Sequence, residues 1–145
     1  EDNHLEVKSA NNTIKYFYTE PSRIVSPSKR INLTSAEVTF DLPSYVLSDV
    51  IRSSQVLSVE DLAISSTDGK ITITVFDKGN TSTNSAIFDV TGTSSSSFTA
   101  YMKIGNLKLI DDDYEVKLSS KGISLFKSKN HDLKYYIAIE ADSKF

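Results

Sequence analysis

Hydrophobic and polar residues alternate along most of this chain with the period of two that sends successive side chains to opposite faces of a strand. Residues 5–18, LEVKSANNTIKYFY, alternate on both sides of Asn11-Asn12 and predict a hairpin. Two strands alone are marginal in water, so the hairpin calls for a sheet elsewhere. From residue 35, AEVTFDL alternates Val38, Phe40 and Leu42, and VEDLAIS, KITITVFD and SAIFDVTG read as three more strands, with a turn at Asp68-Gly69. Between AEVTFDL and VEDLAIS the period changes. In SYVLSDVIRSSQVL, residues 44–57, Leu47, Val50, Ile51 and Ser54 recur at three-and-four spacing, predicting a helix capped by Ser44. Its opposite side carries Ser48, Asp49, Arg52, Ser53 and Gln55.

Beyond the polar loop TGTSSSS the layout is written a second time. FTAYMKI is a strand, GNLKLI a short helix with Gly105 at its start, and YEVKLS, GISLFKS and LKYYIAIEA three strands. A duplicated strand-helix-three-strand unit predicts an α+β fold with two antiparallel sheets side by side and two helices on one face. Each helix buries its apolar stripe on the sheets, which leaves the two polar sides adjacent as one surface. Residues 19–34, TEPSRIVSPSKRINLT, bracketed by Pro21 and Pro27, read as an extended linker. Ile24 and Val25 are an apolar pair inside it, and packing on the domain beneath is their plain reading.

Composition narrows the function classes. A chain of 145 residues with a formal charge of −3 holds one domain, or one domain and a fragment of another. Without cysteine there is neither a disulfide framework nor a thiolate metal site, which fits a reducing compartment without requiring one. No apolar run reaches membrane-spanning length, so no membrane partner is expected. The start, EDNHLEVKSA, has neither a Met nor the layout of a secretion signal, as in a processed or truncated product. His4 and His131 belong to no spaced motif, Gly92 and Gly105 are isolated, and no carboxylate pair stands out. Asp111, Asp112 and Asp113 suggest a hard cation such as calcium, but lack alternating ligands and a closing Glu, and read as solvated turn residues. No catalytic residue, metal or cofactor is predicted.

Charge is distributed unevenly. Residues 44–57 and 98–110 hold Arg52, Lys103 and Lys108 against Asp49 alone, a balance of +2 in a chain whose total is −3. A cationic helical face on an anionic body suits phosphate contact without base reading, with ordinary solvated charge as the competing reading.

Several stretches, in order, carry a family resemblance: TIKYFYTEPSRIVSP, LSDVIRSSQVLSVEDLAISSTDGKITI, MKIGNLKL and YYIAIEADS. Together they resemble the C-terminal part of the sliding clamp, or DNA polymerase processivity factor, of T4-type bacteriophages. The ending DLKYYIAIEAD is also similar to the C-terminus of eukaryotic and archaeal clamps. The resemblance implies a non-enzymatic homotrimeric ring of two-domain subunits around duplex DNA, opened by an ATP-driven clamp loader. Such a ring tethers the replicative DNA polymerase in the cytoplasm of the infected bacterial host. It divides the chain into a remnant hairpin of an N-terminal clamp domain (1–18), an interdomain linker (19–34) and a C-terminal clamp domain (35–145). The orphan hairpin then has three open fates: disorder, folding back on residue 35 onward, or pairing with another chain.

Clamp helices line the central hole, so the resemblance turns Ser48, Arg52, Gln55, Lys103, Asn106 and Lys108 toward DNA. Basic side chains touching phosphates, often through water, attract without a preferred register and so permit sliding. One departure is the DDD run at 111–113, which replaces a Pro-Gly-type turn and places acid near the rim of the hole. The resemblance also implies a pocket for a partner's apolar peptide, formed by Ile24 and Val25 of the linker with Tyr136 and Ala138 of the last strand. The alternative function is a duplicated α+β protein-interaction module without DNA binding.

Overall fold

The computed structural model describes residues 3–25 and 28–145, so Pro27, one of the two prolines bracketing the linker, lies outside the described residues. The chain divides into two compact units, Glu1–Ile31 and Asn32–Phe145.

In the first unit, β1 (His4–Ser9) and β2 (Asn12–Phe17) form an antiparallel hairpin in which Leu5 faces Tyr16 and Val7 faces Ile14. Residues directly opposite share a face. One face is therefore apolar, and the other carries Glu6, which pairs with Lys8 at 2.8 Å and Lys15 at 3.7 Å. The apolar face is exposed. A single 3-10 turn, Pro21–Arg23, follows, and Ile24 closes it by donating its N–H to the Pro21 carbonyl.

The second unit holds β3 (Val38–Leu42), α1 (Ser44–Leu57), β4 (Asp61–Thr67), β5 (Lys70–Phe76), β6 (Ala86–Ser94), β7 (Phe98–Lys103), β8 (Tyr114–Ser119), β9 (Ile123–Ser128) and β10 (Lys134–Ala138). All pair antiparallel in the order β10-β9-β8-β3-β6-β5-β4-β7. The leading strand of each sequence repeat thus sits beside the three trailing strands of the other: β3 on β8, and β7 on β4. That exchange makes the two repeats one folding unit. The long β6 joins the halves, pairing with β5 through Ala86–Val90 and with β3 through Thr91–Ser94. At the other end the C-terminal segment does the joining. Lys144 exchanges both backbone hydrogen bonds with Thr99 at 2.8 Å, and Glu140 N–H donates to the Tyr101 carbonyl at 2.9 Å.

Local chemistry accounts for these elements. Asp68 and Gly69 both have positive φ, 53° and 79°, which is the backbone of a two-residue hairpin turn between β4 and β5. Helix α1 buries Val46, Leu47, Val50 and Ser54, the Ser54 hydroxyl donating to the Ile51 carbonyl at 2.8 Å. It ends with Ser58 in the left-handed region, where Ser58 N–H donates to Gln55 and Val59 N–H to Ser54. At the other terminus the cap differs from the expected one. Pro43 is the capping position and Ser44 the first helical residue, whose N–H is met by Asp113 Oδ1 at 2.8 Å from across the fold.

The second helix shrinks to a single 3-10 turn, Ile104–Asn106. Within 105–110 Leu107 is buried and Leu109 half-buried while Ile110 is exposed, and Gly105 at the start lowers helix propensity, so no longer helix forms.

Candidate nucleic-acid interface and partner surface

On α1 the core-facing stripe leaves Ser48, Arg52 and Gln55 exposed on the opposite side, together with Tyr45 and Val56 at 69% and 77% exposure. The helix's C-terminal half and the segment after β7 flank one open groove of about 840 Å³. Ile51, Ser54 and Gln55 line one wall, and Lys103, Ile104, Leu107 and Lys108 the other. Gln55, Lys103 and Lys108 therefore converge. Ser48 and Arg52 continue the exposed stripe outside the groove lining, while Asn106 lines a separate depression.

The cations on this side are not equivalent. Arg52 lies 3.9 Å from Asp49 one turn back, and both are solvated, so the pair constrains little. Lys103 gives its ammonium to Asp61, a carboxylate only 5% exposed that also accepts the Lys78 N–H at 2.8 Å. Burial pushes the Asp61 carboxyl up, but the bonds from Lys103 and Lys78 outweigh it and hold it below its ordinary value. The same contact raises the Lys103 ammonium. Lys103 is thus already paired with a carboxylate where it stands. Lys108 is exposed and has no carboxylate within 4 Å among the described residues.

The DDD run is not a set of solvated turn residues, which corrects the reading from sequence. Asp112 is 5% exposed and accepts from Ser128 Oγ, Asn130 Nδ2 and His131 Nδ1, the last at 2.9 Å, as well as from Asp113 N–H. His131 leads the bonds that keep its carboxyl well below the usual range. Asp113 caps α1, and its carbonyl takes the Lys129 N–H. Only Asp111 is exposed. The run is a strut tying the β9–β10 turn to the start of the helix. Among the described residues no three His, Asp or Glu side chains are grouped to hold a metal ion.

Tyr136 and Ala138 share the outward face of β10, because Tyr135 and Ile137 turn inward to the core. Across the ladder Tyr136 faces Leu125 and Ala138 faces Ile123. These two half-buried β9 side chains complete an apolar patch that sequence reasoning missed. The signal was present in GISLFKS, where apolar residues occupy both alternating sets and so announce two contact faces. At the free edge of β10, Tyr136 and Ala138 also border a depression of about 310 Å³ with Gly105, Asn106 and Lys108. Ile24 and Val25, in the first unit, are 60% and 97% exposed.

The family model described as gp45 sliding clamp, C terminal, matches residues 39–141. The sliding clamp of Enterobacteria phage T4 is 27% identical over 150 residues, covering 99% of this chain and 65% of that protein. The sliding clamp of Escherichia phage RB69 is 28% identical over 147 residues, covering 98% of this chain and 64% of that protein. The chain therefore spans about 65% of the length of the curated relatives it matches. Among solved structures, the proliferating cellular nuclear antigen of Entamoeba histolytica aligns with a TM-score of 0.62 at 17% identity, over 96% of this chain and 60% of that one. A putative DNA polymerase III beta subunit of Eubacterium rectale aligns at 0.58 and 14%, over 97% and 40%. At such identities the likeness is one of fold.

Proposed function

The chain belongs to the gp45 sliding-clamp family through its C-terminal domain, and we propose that it is the C-terminal part of a ring subunit that encloses duplex DNA and tethers a replicative polymerase. The observation that carries this reading is the common groove, which brings the polar end of α1 and the segment after β7 to one side of the sheet. Repeated around a ring, that side is the wall of a hole.

Its chemistry suits sliding. Arg52 and Lys108 are exposed cations on flexible stems, while Ser48, Gln55 and Asn106 offer neutral hydrogen-bonding groups. Phosphate contacts of this kind are independent of sequence and easily exchanged. Lys103 contributes less, being held by Asp61. Retention on DNA then comes from closure of the ring, without catalytic residue or cofactor, and an ATP-driven clamp loader opens it.

Head-to-tail closure into a homotrimer can run through an unpaired strand edge on each subunit. Ala86–Val90 of β6 have no ladder partner on the β3 side among the described residues. Residues 1–18 are the closing hairpin of an N-terminal clamp domain, 19–34 the interdomain linker and 35–145 the C-terminal clamp domain. The apolar face of the hairpin, Leu5, Val7, Ile14 and Tyr16, fits that assignment, since it needs a sheet to cover it. Polymerase docks an apolar peptide on Tyr136 and Ala138 of the C-terminal clamp domain. The working place is the cytoplasm of an infected bacterium.

The test is duplex binding by the full-length subunit across a salt titration. A steep loss of binding with salt, shallower after Arg52→Ala and Lys108→Ala, supports the assignment. An unchanged slope removes it.

A further inference from the structure

Lys127 and Lys134 face each other directly across the β9–β10 ladder. They lie on the outward face, one step along each strand from the opposed pair Leu125 and Tyr136. Like charges placed opposite in a ladder oppose pairing. Both are exposed, and neither has a carboxylate within 4 Å among the described residues. The nearest acid in register is Glu115 on β8, opposite Lys127, but Lys117 engages it at 3.2 Å. Asp41, the next acid along that face, is taken by Lys129 at 2.6 Å. The apolar patch is thus bounded on one side by two uncompensated positive charges, in a chain that is negative overall.

We propose that Lys127 and Lys134 are specificity residues of the partner surface, selecting a peptide whose apolar anchors are flanked by aspartate or glutamate. This inference rests on the docking role assigned to Tyr136 and Ala138, and adds the charge of the partner to it. The apolar anchors fill the patch formed with Leu125 and Ile123. The acidic flank lies over the lysine pair and relieves its repulsion on binding. Rim charges of this sort act mainly on selectivity and encounter rate.

The experiment is calorimetric titration of the 145-residue chain with two synthetic peptides that share a Leu and a Phe anchor. One is flanked by aspartates and the other by asparagines. The expected result is a roughly three- to tenfold preference for the aspartate peptide at low salt, lost at high salt and lost in the double variant Lys127→Gln, Lys134→Gln. The double variant keeps its affinity for the asparagine peptide, and its thermal midpoint does not fall, because a like-charge pair has been removed. Equal affinity of the unaltered chain for both peptides overturns the charge selection while leaving the apolar dock standing. A preference that survives in the double variant does the same. Binding of neither peptide overturns both the selection and the dock. Loss of duplex binding by the full-length subunit carrying both substitutions, with no peptide preference in the 145-residue chain, reassigns the lysines to nucleic acid and overturns the proposal.

Discussion

The ammonium of Lys103 is held by the buried carboxylate of Asp61, at the register pair where β7 meets β4. The partner is inside the fold, so the lysine is part of the scaffold as well as of the groove wall. Removing it leaves a buried carboxylate with only the Lys78 N–H. Lys103→Ala therefore lowers the thermal midpoint clearly more than Arg52→Ala or Lys108→Ala, which remove exposed charges. Melting curves of the three single variants check this. Any loss of DNA retention in a variant lacking Lys103 has to be read beside its stability.

Gly92 is fixed by packing. It lies opposite Phe40 where β6 crosses to β3, and a β-carbon there would collide with Phe40 Cβ and stand 2.5 Å from the Thr39 carbonyl oxygen. Gly92→Ala drives a β-carbon into Phe40 and the β3 backbone and is expected to cost about 1–3 kcal/mol or more. Urea denaturation measures it. The junction that Gly92 permits is the one that joins the two halves of the sheet.

Asp113 caps α1 from a distance. Asp113→Ala leaves the Ser44 N–H without its side-chain acceptor and is expected to cost about 0.5–2 kcal/mol, the range of lost helix caps. Faster amide exchange in the first turn of α1, with the C-terminal turn unaffected, is the local signature.

Stability falls in acid. Glu37 is held below its ordinary 4.5 by the Ser120 hydroxyl and N–H, and Asp61, Asp112 and Asp142 are held below their ordinary 3.8. Unfolded, these groups take up protons sooner than they do folded, so their contribution is complete above about pH 4.5 and is lost as pH falls through the folded values. Lys78, raised by Asp142 and Glu140, and Lys103 and Lys129, raised by Asp61 and Asp41, work in the opposite direction. Their contribution is complete below 10.5 and is lost as pH rises past it. Thermal midpoints from pH 2 to 11 are expected to form a plateau with both flanks falling. Asp112→Asn lowers the plateau and flattens the acid flank.

Much of this architecture was legible in the pattern. Alternation marks the strands, Asp68-Gly69 reads as a turn, and the change of period at residue 44 isolates the one α-helix among the described residues, with Ser48, Arg52 and Gln55 on its outer side. What escaped depends on partners distant in sequence. Asp112 looks like its neighbours until Ser128, Asn130 and His131 are folded around it. Asp61 looks like Glu60 until Lys103 arrives from β7. Ser44 has the chemistry of a cap, but extended Pro43 takes that position and the acceptor comes from Asp113. GNLKLI, 105–110, reads as a short helix with Gly105 at its start, and only a 3-10 turn, Ile104–Asn106, forms.

The most direct test of a closed ring is the lifetime of the full-length subunit on loader-charged circular duplex, before and after a single cut far from the protein. Topological retention predicts a long lifetime on the circle at salt that abolishes direct binding, and rapid loss from the new ends once the duplex is cut. Equal lifetimes on circular and cut DNA would contradict it.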